Sequence, residues 1–287
     1  MTLLAVPNVS EGRDPAVLAA IENAFLATGA RLLDVHSDPD HHRSVYTLAG
    51  EPGALAHAVA AGAREAMARI DLRTHSGAHP RVGAIDVAPI VYLRDEDRGA
   101  ACAEALVLGD LLGSELELPV FLYGVLAGGR TRAALRGGGP ATLAARIAAG
   151  ELRSDFGPGD LDPSAGVVLV AARPPLVAFN VELQVPASLR DAGAIAAAIR
   201  EGGAEGLPSV RAIGVWLERR GVAQVSTNVE DHDRTSLAAV LRAIRRHAPI
   251  AAAELVGLAP RAAFEGFPQE VPVAGRRLVE EALADSA

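Results

Sequence analysis

The sequence contains no lysine, since all 27 of its basic residues are arginine. Enzymes that form a Schiff base, including those that use pyridoxal phosphate, need a lysine, and so does the phosphate-binding loop of P-loop nucleotide hydrolases. Both classes are therefore excluded. The one cysteine, Cys102, cannot form a disulfide within the chain, which is compatible with a reducing compartment.

Long apolar runs and an excess of basic charge are also missing. No stretch approaches the ~18 consecutive apolar residues of a membrane-spanning helix, and the first residues lack the pattern of a signal peptide. The net charge of −8 opposes non-specific binding to nucleic acid, which depends on neutralising phosphates. We therefore expect a cytoplasmic globular protein that binds small molecules, and neither nucleic acid nor a membrane.

Apolar strand-like runs alternate with amphipathic segments, which is typical of α/β proteins. In the first part of the chain this predicts strand Leu3–Val6, a helix opened by Asp14-Pro15, strands Arg31–His36 and Ser44–Leu48, a helix from Pro52 and strand Ala84–Leu93. Next come helix Asp95–Glu117, strand Pro119–Val125, a glycine-rich surface loop Gly128–Gly139, helix Ala141–Ala149, a polar loop Ser154–Gly166 and strand Val167–Ala171. The last predicted elements are strand Val177–Leu183, helix Ala192–Arg200, strands Ala212–Leu217 and Ala223–Val229, helix Leu237–Arg246 and strand Glu254–Leu258.

Both halves thus follow the order β-α-β-β-α-β, the split βαβ arrangement of ferredoxin-like sandwiches. We predict an α/β protein of the α+β type with two lobes. Each lobe is expected to have a mixed β-sheet with helices on its outer face, the two sheets facing each other. The double proline Pro174-Pro175 marks the boundary, so the predicted lobes are residues 1–175 and 176–287.

The first histidine cluster is Arg73–Arg81. Pro80 favours an extended backbone at His79, and Gly77 favours a turn, so His75 and His79 do not form a helical metal pair. One interpretation is a loop at a strand edge that presents His79 as an acid or base, because the ordinary pKa of histidine lies near neutrality. The alternative is a solvated loop whose histidines bind only backbone groups.

The second histidine cluster is Asp34–Arg43. Aspartates around a proline usually form a hydrogen-bonded turn. A metal hydrolase built on His36, His41 and His42 is the rival interpretation, since histidine and carboxylate are ordinary zinc and iron ligands. A third segment, Asp155–Gly166, combines prolines and glycines and is typical of a surface loop.

Nine segments, in the same order along the chain, resemble the glutamate formimidoyltransferase family. The first is Val6-Pro7-Asn8-Val9-Ser10-Glu11-Gly12. The others are Leu33-Asp34-Val35, Arg43–Thr47, His79–Pro89, Leu122-Tyr123-Gly124, Asp155–Pro158, Ala178-Phe179-Asn180, Ala223–Asn228 and Glu254–Leu258. The resemblance covers residues 6 to 258 and is to the form without a cyclodeaminase domain.

The resemblance implies transfer of a formimidoyl group from N-formimidoyl-L-glutamate to N5 of tetrahydrofolate, a late step of histidine degradation. It implies tetrahydrofolate as co-substrate, no metal, a folate cleft and a homodimer. The family's catalytic histidine, which precedes Pro-Arg, falls on His79. Its folate-binding loop falls on Gly157, Pro158, Gly159, Asp160, Leu161, Asp162, Pro163, Ser164, Ala165 and Gly166.

Two alternatives to this function stay open. A related one-carbon transferase acting on 5-formyltetrahydrofolate and glutamate would keep His79 and the folate loop. A non-catalytic folate-binding relative is the other, because His36 and Ala165 depart from the family pattern. An aromatic residue at position 165 would give the pterin a stacking platform, so Ala165 predicts weaker folate affinity.

Overall fold

The computed structural model describes residues 1–286, which form two compact units. The first unit is Met1–Arg173, and the second begins at Pro174. The described residues contain one sheet of seven strands, one of five, and eight α-helices. The predicted α+β class with two lobes is therefore confirmed, whereas the facing arrangement of the sheets stays a prediction. None of the helices in residues 1–286 has the length and apolar character needed to cross a membrane.

The first unit contains seven strands and five helices among its described residues. In chain order they are β1 (Leu3–Ala5), β2 (Asn8–Val9), α1 (Pro15–Leu26), β3 (Arg31–Asp38), β4 (Arg43–Gly50), α2 (Leu55–Arg69), β5 (Ile85–Val91), α3 (Arg98–Glu115), β6 (Val120–Leu122), α4 (Arg132–Arg136), α5 (Gly139–Ala148) and β7 (Val168–Arg173). β1 and β2 lie one after the other between β4 and β5. The sheet therefore runs β3, β4, β1/β2, β5, β7, β6, with β5, β7 and β6 parallel.

Helix α1 begins where the sequence predicts its cap. The Asp14 side chain accepts hydrogen bonds from the first free backbone N–H groups of α1, and Pro15 occupies the first helical position. Phe25 is fully buried against α2. A Cβ at Gly62 would lie 2.1 Å from the Phe25 ring, so glycine at this position lets α1 and α2 pack closely.

The parallel strands are covered on both faces, which explains their nearly continuous apolar sequences. Along β7, Val168 and Val170 face one core, and Leu169 faces another. Leu135 of α4 and Leu143 of α5 belong to the second core. The prediction of a surface loop over Gly128–Gly139 is therefore wrong, because α4 forms there and buries Leu135.

The second unit repeats the predicted order with more regular strands. Its elements are β8 (Val177–Leu183), α6 (Leu189–Ile199), β9 (Val210–Leu217), β10 (Val222–Val229), α7 (Leu237–Arg245), β11 (Ile250–Val256), β12 (Val273–Ala274) and α8 (Val279–Asp285). The sheet order is β12, β11, β8, β10, β9. Of these pairs only β11 and β12 are parallel.

Two predicted elements of the second unit begin too late. α6 starts at Leu189, because Ser188 and Asp191 form a capping box ahead of it. β11 starts at Ile250, where pairing with β8 overrides the low strand propensity of the alanines that follow. β12 and α8 were not predicted.

Candidate active site

The two histidine clusters lie against each other in the first unit. The backbone N–H of Ala78 donates to the carbonyl of Asp40 at 3.0 Å. A Cβ at Gly77 would stand 2.4 Å from the carbonyl oxygen of His41, so only glycine allows this approach. From the sequence, the first cluster was a candidate for acid–base chemistry and the second a candidate for a turn or a metal site. In the structure the two clusters lie in one site.

His79 is partly exposed, and its tautomer is set by the next residue. Its Nδ1 lies 2.7 Å from the carbonyl oxygen of Pro80. A carbonyl oxygen only accepts, so Nδ1 carries the hydrogen and donates it. The neutral ring therefore has its lone pair on Nε2, the atom that can accept a proton. The ring of His41 is close by, with centroids 5.9 Å apart.

The surroundings of His79 favour its neutral form. Burial lowers the pKa of His79 well below its ordinary value of 6.5, and the positive charges of Arg43 and Arg136 lower it further. The hydrogen bond to the Pro80 carbonyl opposes these effects only in part. His79 is therefore neutral at pH 7 and able to act as a base.

Asp86 supplies the negative charge beside these arginines. Asn8 pairs with Val87 and Val9 pairs with Ile85, so Asp86 is the extra residue of a β-bulge in β5. Bulges redirect side chains and are frequent beside active sites. The Asp86 side chain is fully buried, and its Oδ1 accepts from the backbone N–H of Val82 at 2.8 Å.

Arg43 and Arg136 both hydrogen-bond to the other oxygen of Asp86, Oδ2. Burial alone would raise the pKa of Asp86, but Arg136 and Arg43 outweigh it and hold the pKa below its usual value. Arg43 also donates from Nε to Oδ1 of Asn8 at 3.0 Å. One carboxylate thus pairs with two guanidinium groups.

A second set of titratable groups adjoins this centre. Nδ1 of His42 lies 2.5 Å from Nε2 of His75, and Nε2 of His42 lies 3.5 Å from Oε1 of Glu11. Burial, followed by the charge of Arg81, lowers the pKa of His75 to about 4. Burial also lowers the pKa of His42, although Glu11 opposes this. Both rings are therefore largely neutral at pH 7.

The predicted folate loop is attached to the segment that carries His79. Ser164 accepts from the backbone N–H of Leu72 at 2.9 Å, and Ala165 accepts from that of Ala84 at 2.8 Å. Gly166 has a φ of +73°, and a Cβ there would lie 2.2 Å from the carbonyl oxygen of Val82. The loop therefore needs glycine at its end to lie this close.

The residues of the loop differ in exposure. Gly159 and Asp160 are exposed, whereas Ala165 is buried in the core of the first unit. The interpretation of position 165 as a stacking platform does not fit this burial, because a larger side chain would enter the core. The assignment of Gly157–Gly166 to folate stays a prediction.

The second histidine cluster forms the turn that its aspartates indicate. Oδ1 of Asp38 accepts from the backbone N–H groups of Asp40 and His41, each at 2.7 Å. Within residues 1–286, no group of three His, Cys, Asp or Glu side chains is arranged to hold a metal ion. The structure therefore gives the metal alternative no support at His36, His41 and His42.

The second unit has a polar row on the sheet face opposite its apolar core. Asn180 of β8 is flanked by Ser226 of β10 and Glu254 of β11. Two residues further along β8, Glu182 pairs with Gln224 of β10. Its Oε1 accepts a hydrogen bond from Nη1 of Arg220 at 2.6 Å. Segments that carried the family resemblance thus meet on one sheet face.

Sequence reasoning missed Arg136 and two residues that interact with it, Asp86 and Tyr123. Asp86 lies in a segment that carried the resemblance but was read only as part of a strand. Tyr123, also in such a segment, is buried with its hydroxyl among the atoms that lack a hydrogen bond in the structure described. Arg136 was hidden in the glycine-rich segment. The Thr131 cap and the apolar Leu135 were the signals for a helix there.

Two family models match the chain. Residues 2–173 match the formiminotransferase domain, N-terminal subdomain, and residues 178–266 match the formiminotransferase domain. The chain belongs to the formiminotransferase family. The two formiminotransferase models together include every residue placed around His79 above, and the polar row of the second unit.

Relatives of this formiminotransferase chain occur in animals, bacteria and archaea. It is 39% identical over 271 residues to the formimidoyltransferase-cyclodeaminase of Rattus norvegicus, which covers 89% of this chain and 49% of the rat protein. The chain thus spans about half the length of that relative. It is 35% identical to the glutamate formimidoyltransferase of Streptococcus pyogenes, covering 90% and 89% of the two chains. It is 34% identical to the glutamate formimidoyltransferase of Thermoplasma acidophilum, and the match covers 90% of this chain and 88% of that protein.

Proposed function

We propose that this chain transfers the formimidoyl group of N-formimidoyl-L-glutamate to N5 of tetrahydrofolate, with His79 as general base and then general acid. The observation that carries the proposal is the hydrogen bond from Nδ1 of His79 to Pro80, which leaves Nε2 free to accept a proton. Family membership supports the type of reaction. Tetrahydrofolate is a co-substrate, and the reaction needs no metal.

The chemistry suits a histidine. N5 attacks the carbon of the protonated formimidoyl group and forms a C–N bond, while the π pair of the C=N bond moves onto the imino nitrogen and the proton of N5 passes to Nε2 of His79. The resulting tetrahedral carbon bears three nitrogens and no oxygen, so an oxyanion hole has nothing to stabilise. The imidazolium then gives its proton to the glutamate nitrogen as that C–N bond breaks. Glutamate and 5-formimidoyltetrahydrofolate leave, and His79 is neutral again.

The low pKa of His79 serves the second proton transfer. A histidine that is hard to protonate is a weak base in the resting site, but its imidazolium is a strong acid beside the leaving nitrogen. The nearby arginines keep that pKa low. Proton transfer by a positioned side chain contributes roughly 10²–10⁴-fold to the rate.

An assay with two pairs of substrates tests the proposal. Purified protein is incubated with formimidoylglutamate and tetrahydrofolate, and in parallel with 5-formyltetrahydrofolate and glutamate. Transfer with the first pair supports the proposal. Transfer with only the second pair would make the chain a related one-carbon transferase. Folate binding with neither reaction would make it a non-catalytic relative.

The folate-binding role of Gly157–Gly166 belongs to the same proposal. Its support is the set of backbone hydrogen bonds that hold this loop to the strand and turn around Leu72 and Ala84. Hydrogen exchange with and without a folate analogue tests it. Protection of the loop together with residues 75–83 is expected, and protection confined to other segments would contradict it.

Assembly and location complete the proposal. We expect a homodimer in the cytoplasm, as the family resemblance implies. Sedimentation of the purified chain over a range of concentrations tests the assembly, since a monomer at all concentrations would contradict it.

A further inference from the structure

Two arginines share one carboxylate in the centre beside His79. Arg43 and Arg136 share a single oxygen of Asp86. Their side chains are only 10% and 13% exposed, and that of Asp86 is fully buried. Buried charges are ordinarily balanced by partners. Here two guanidinium groups share one carboxylate next to the proposed base.

The arginines also have hydrogen-bond donors to spare. A guanidinium group has five N–H donors. The side chain of Arg136 uses only Nη2, toward Asp86, and its buried Nε lacks a hydrogen bond in the structure described. Burial lowers the pKa of Arg136 to about 10, with repulsion from Arg43 and Arg132 contributing, so it remains charged at pH 7.

The position of α4 explains why Arg136 reaches this centre. Glycines with positive φ flank the helix, with Gly128 and Gly129 before it and Gly138 and Gly139 after it. Such backbone conformations favour glycine and let the chain turn sharply on both sides. The short helix therefore packs its apolar side on the sheet and directs Arg136 to Asp86.

We infer that Arg43 and Arg136 form the subsite that holds a carboxylate of the formimidoyl donor. A planar guanidinium matches a carboxylate through two parallel hydrogen bonds. A bound carboxylate would add a second negative charge beside the two guanidinium groups, use the spare donors and hold the formimidoyl group near Nε2 of His79. The inference rests on the proposed function and makes Arg43 and Arg136 specificity-determining residues for the donor.

Arg136→Gln is the decisive variant. It leaves Asp86 paired with Arg43 and the backbone of Val82, so the fold should persist. We expect the KM for formimidoylglutamate to rise at least tenfold while the KM for tetrahydrofolate changes less than twofold. Arg64→Gln is the matched control, because it removes the same charge from an exposed pair with Glu115. The control should leave both KM values unchanged.

Donor analogues identify the group that binds Arg136. In each of two analogues, one carboxylate of formimidoylglutamate is replaced by a primary amide. For one analogue, the wild-type protein should have a raised KM, and Arg136→Gln should add no further loss. This measurement on the wild type stands even where the variant fails to fold. Equal KM values for both amides and the parent donor would overturn the inference.

Glutarate binding separates this inference from the proposed function. Calorimetry with glutarate needs no turnover, and wild-type protein should bind it at least tenfold more tightly than Arg136→Gln. If the wild type transfers no formimidoyl group but shows this difference, Arg43 and Arg136 still form a carboxylate subsite and the proposed function fails. If it transfers the group and Arg136→Gln keeps its donor KM, the proposed function stands and the inference fails.

Discussion

The two units share the order of their four central strands, but only the first divides one of these strands in two. In the second unit, β8 pairs with β10 over six consecutive positions. The corresponding strand of the first unit is divided into β1 and β2 around Pro7, and its neighbour β5 bulges at Asp86. Asp86, the buried carboxylate that Arg43 and Arg136 share, lies at this bulge. A regular ladder fixes where side chains point, whereas a bulge lets a strand turn one polar group toward the site.

The ion pairs of the two units differ in the same way. Asp86 is fully buried between two arginines, whereas in the second unit Glu182 pairs with Arg220, which is 35% exposed. Water can replace the partner of an exposed charge but not of a buried one. We therefore expect the first unit to be sensitive to a change at Asp86 and the second to tolerate a change at Glu182.

The largest expected effect is at His79. His79→Asn should lower kcat by about 10²–10⁴-fold while folate binding and the fold are retained, because only the proton transfer is lost. Steady-state kinetics and circular dichroism measure this. His75→Asn, in the same cluster, should cost much less. A fully active His79→Asn protein would place the chemistry elsewhere.

Removing the shared carboxylate tests the comparison of ion pairs directly. Asp86→Asn leaves two buried arginines without a balancing charge, so the free energy of unfolding should fall by about 3–5 kcal/mol. Glu182→Gln in the second unit should cost less than about 1 kcal/mol. Urea unfolding of both variants measures the contrast. Equal losses would show that burial does not distinguish the two sites.

Glycine substitutions compare a closely packed position of the first unit with an open position of the second. Gly77→Ala would force the two histidine clusters apart at His41, costing about 1–3 kcal/mol of stability and lowering kcat. Gly193→Ala, within α6, has no atom near its new Cβ and should stabilise by about 0.5–1 kcal/mol. Thermal unfolding distinguishes the two signs.

The acid limb of activity reports the charge around His79. Because the pKa of His79 is lowered, the base stays neutral as the pH falls past 6.5, and activity is lost only at a lower pH. Arg136→Gln removes one of the charges and should move this limb back toward 6.5. A pH profile of kcat/KM measures the shift. An acid limb with its midpoint at pH 6.5 in the wild type would contradict the lowered pKa of His79.

The last prediction concerns the pH dependence of stability and His75. Its pKa in the folded protein is about 4, below its value of about 6.5 when unfolded, so the unfolded chain binds the proton first as the pH falls. Stability should therefore rise with pH between about 4 and 6.5. His75→Asn should flatten this dependence in urea unfolding, and an unchanged slope would contradict the assignment.

Local signals predicted the elements but not their irregularities. The Asp14-Pro15 cap and the alternating apolar residues of β8 are readable because they depend on neighbours in sequence. The bulge at Asp86 depends on which residue of β2 lies opposite, and no pattern within β5 carries that information. For the same reason the strand was predicted and its functional residue was not.

The site was predictable only in part for a similar reason. His79 could be proposed from its neighbours Pro80 and Arg81. Its contact with the second histidine cluster needs the backbone bond between Ala78 and Asp40, residues far apart in sequence. Arg136 was hidden further, because a glycine-rich segment indicates a loop whichever way its long side chains extend.

The shared carboxylate of Asp86 also determines when, during folding, the first unit can acquire a complete active site. Arg43 and Asp86 are 43 residues apart, and Asp86 and Arg136 are 50 apart. Contacts across such separations form late, because the intervening chain must first lose its conformational freedom. During synthesis, a nascent chain that ends before Arg136 already contains His79 but lacks half of its positive surroundings. We therefore expect the active site to be completed when α4 docks, as one of the last events in the folding of the first unit.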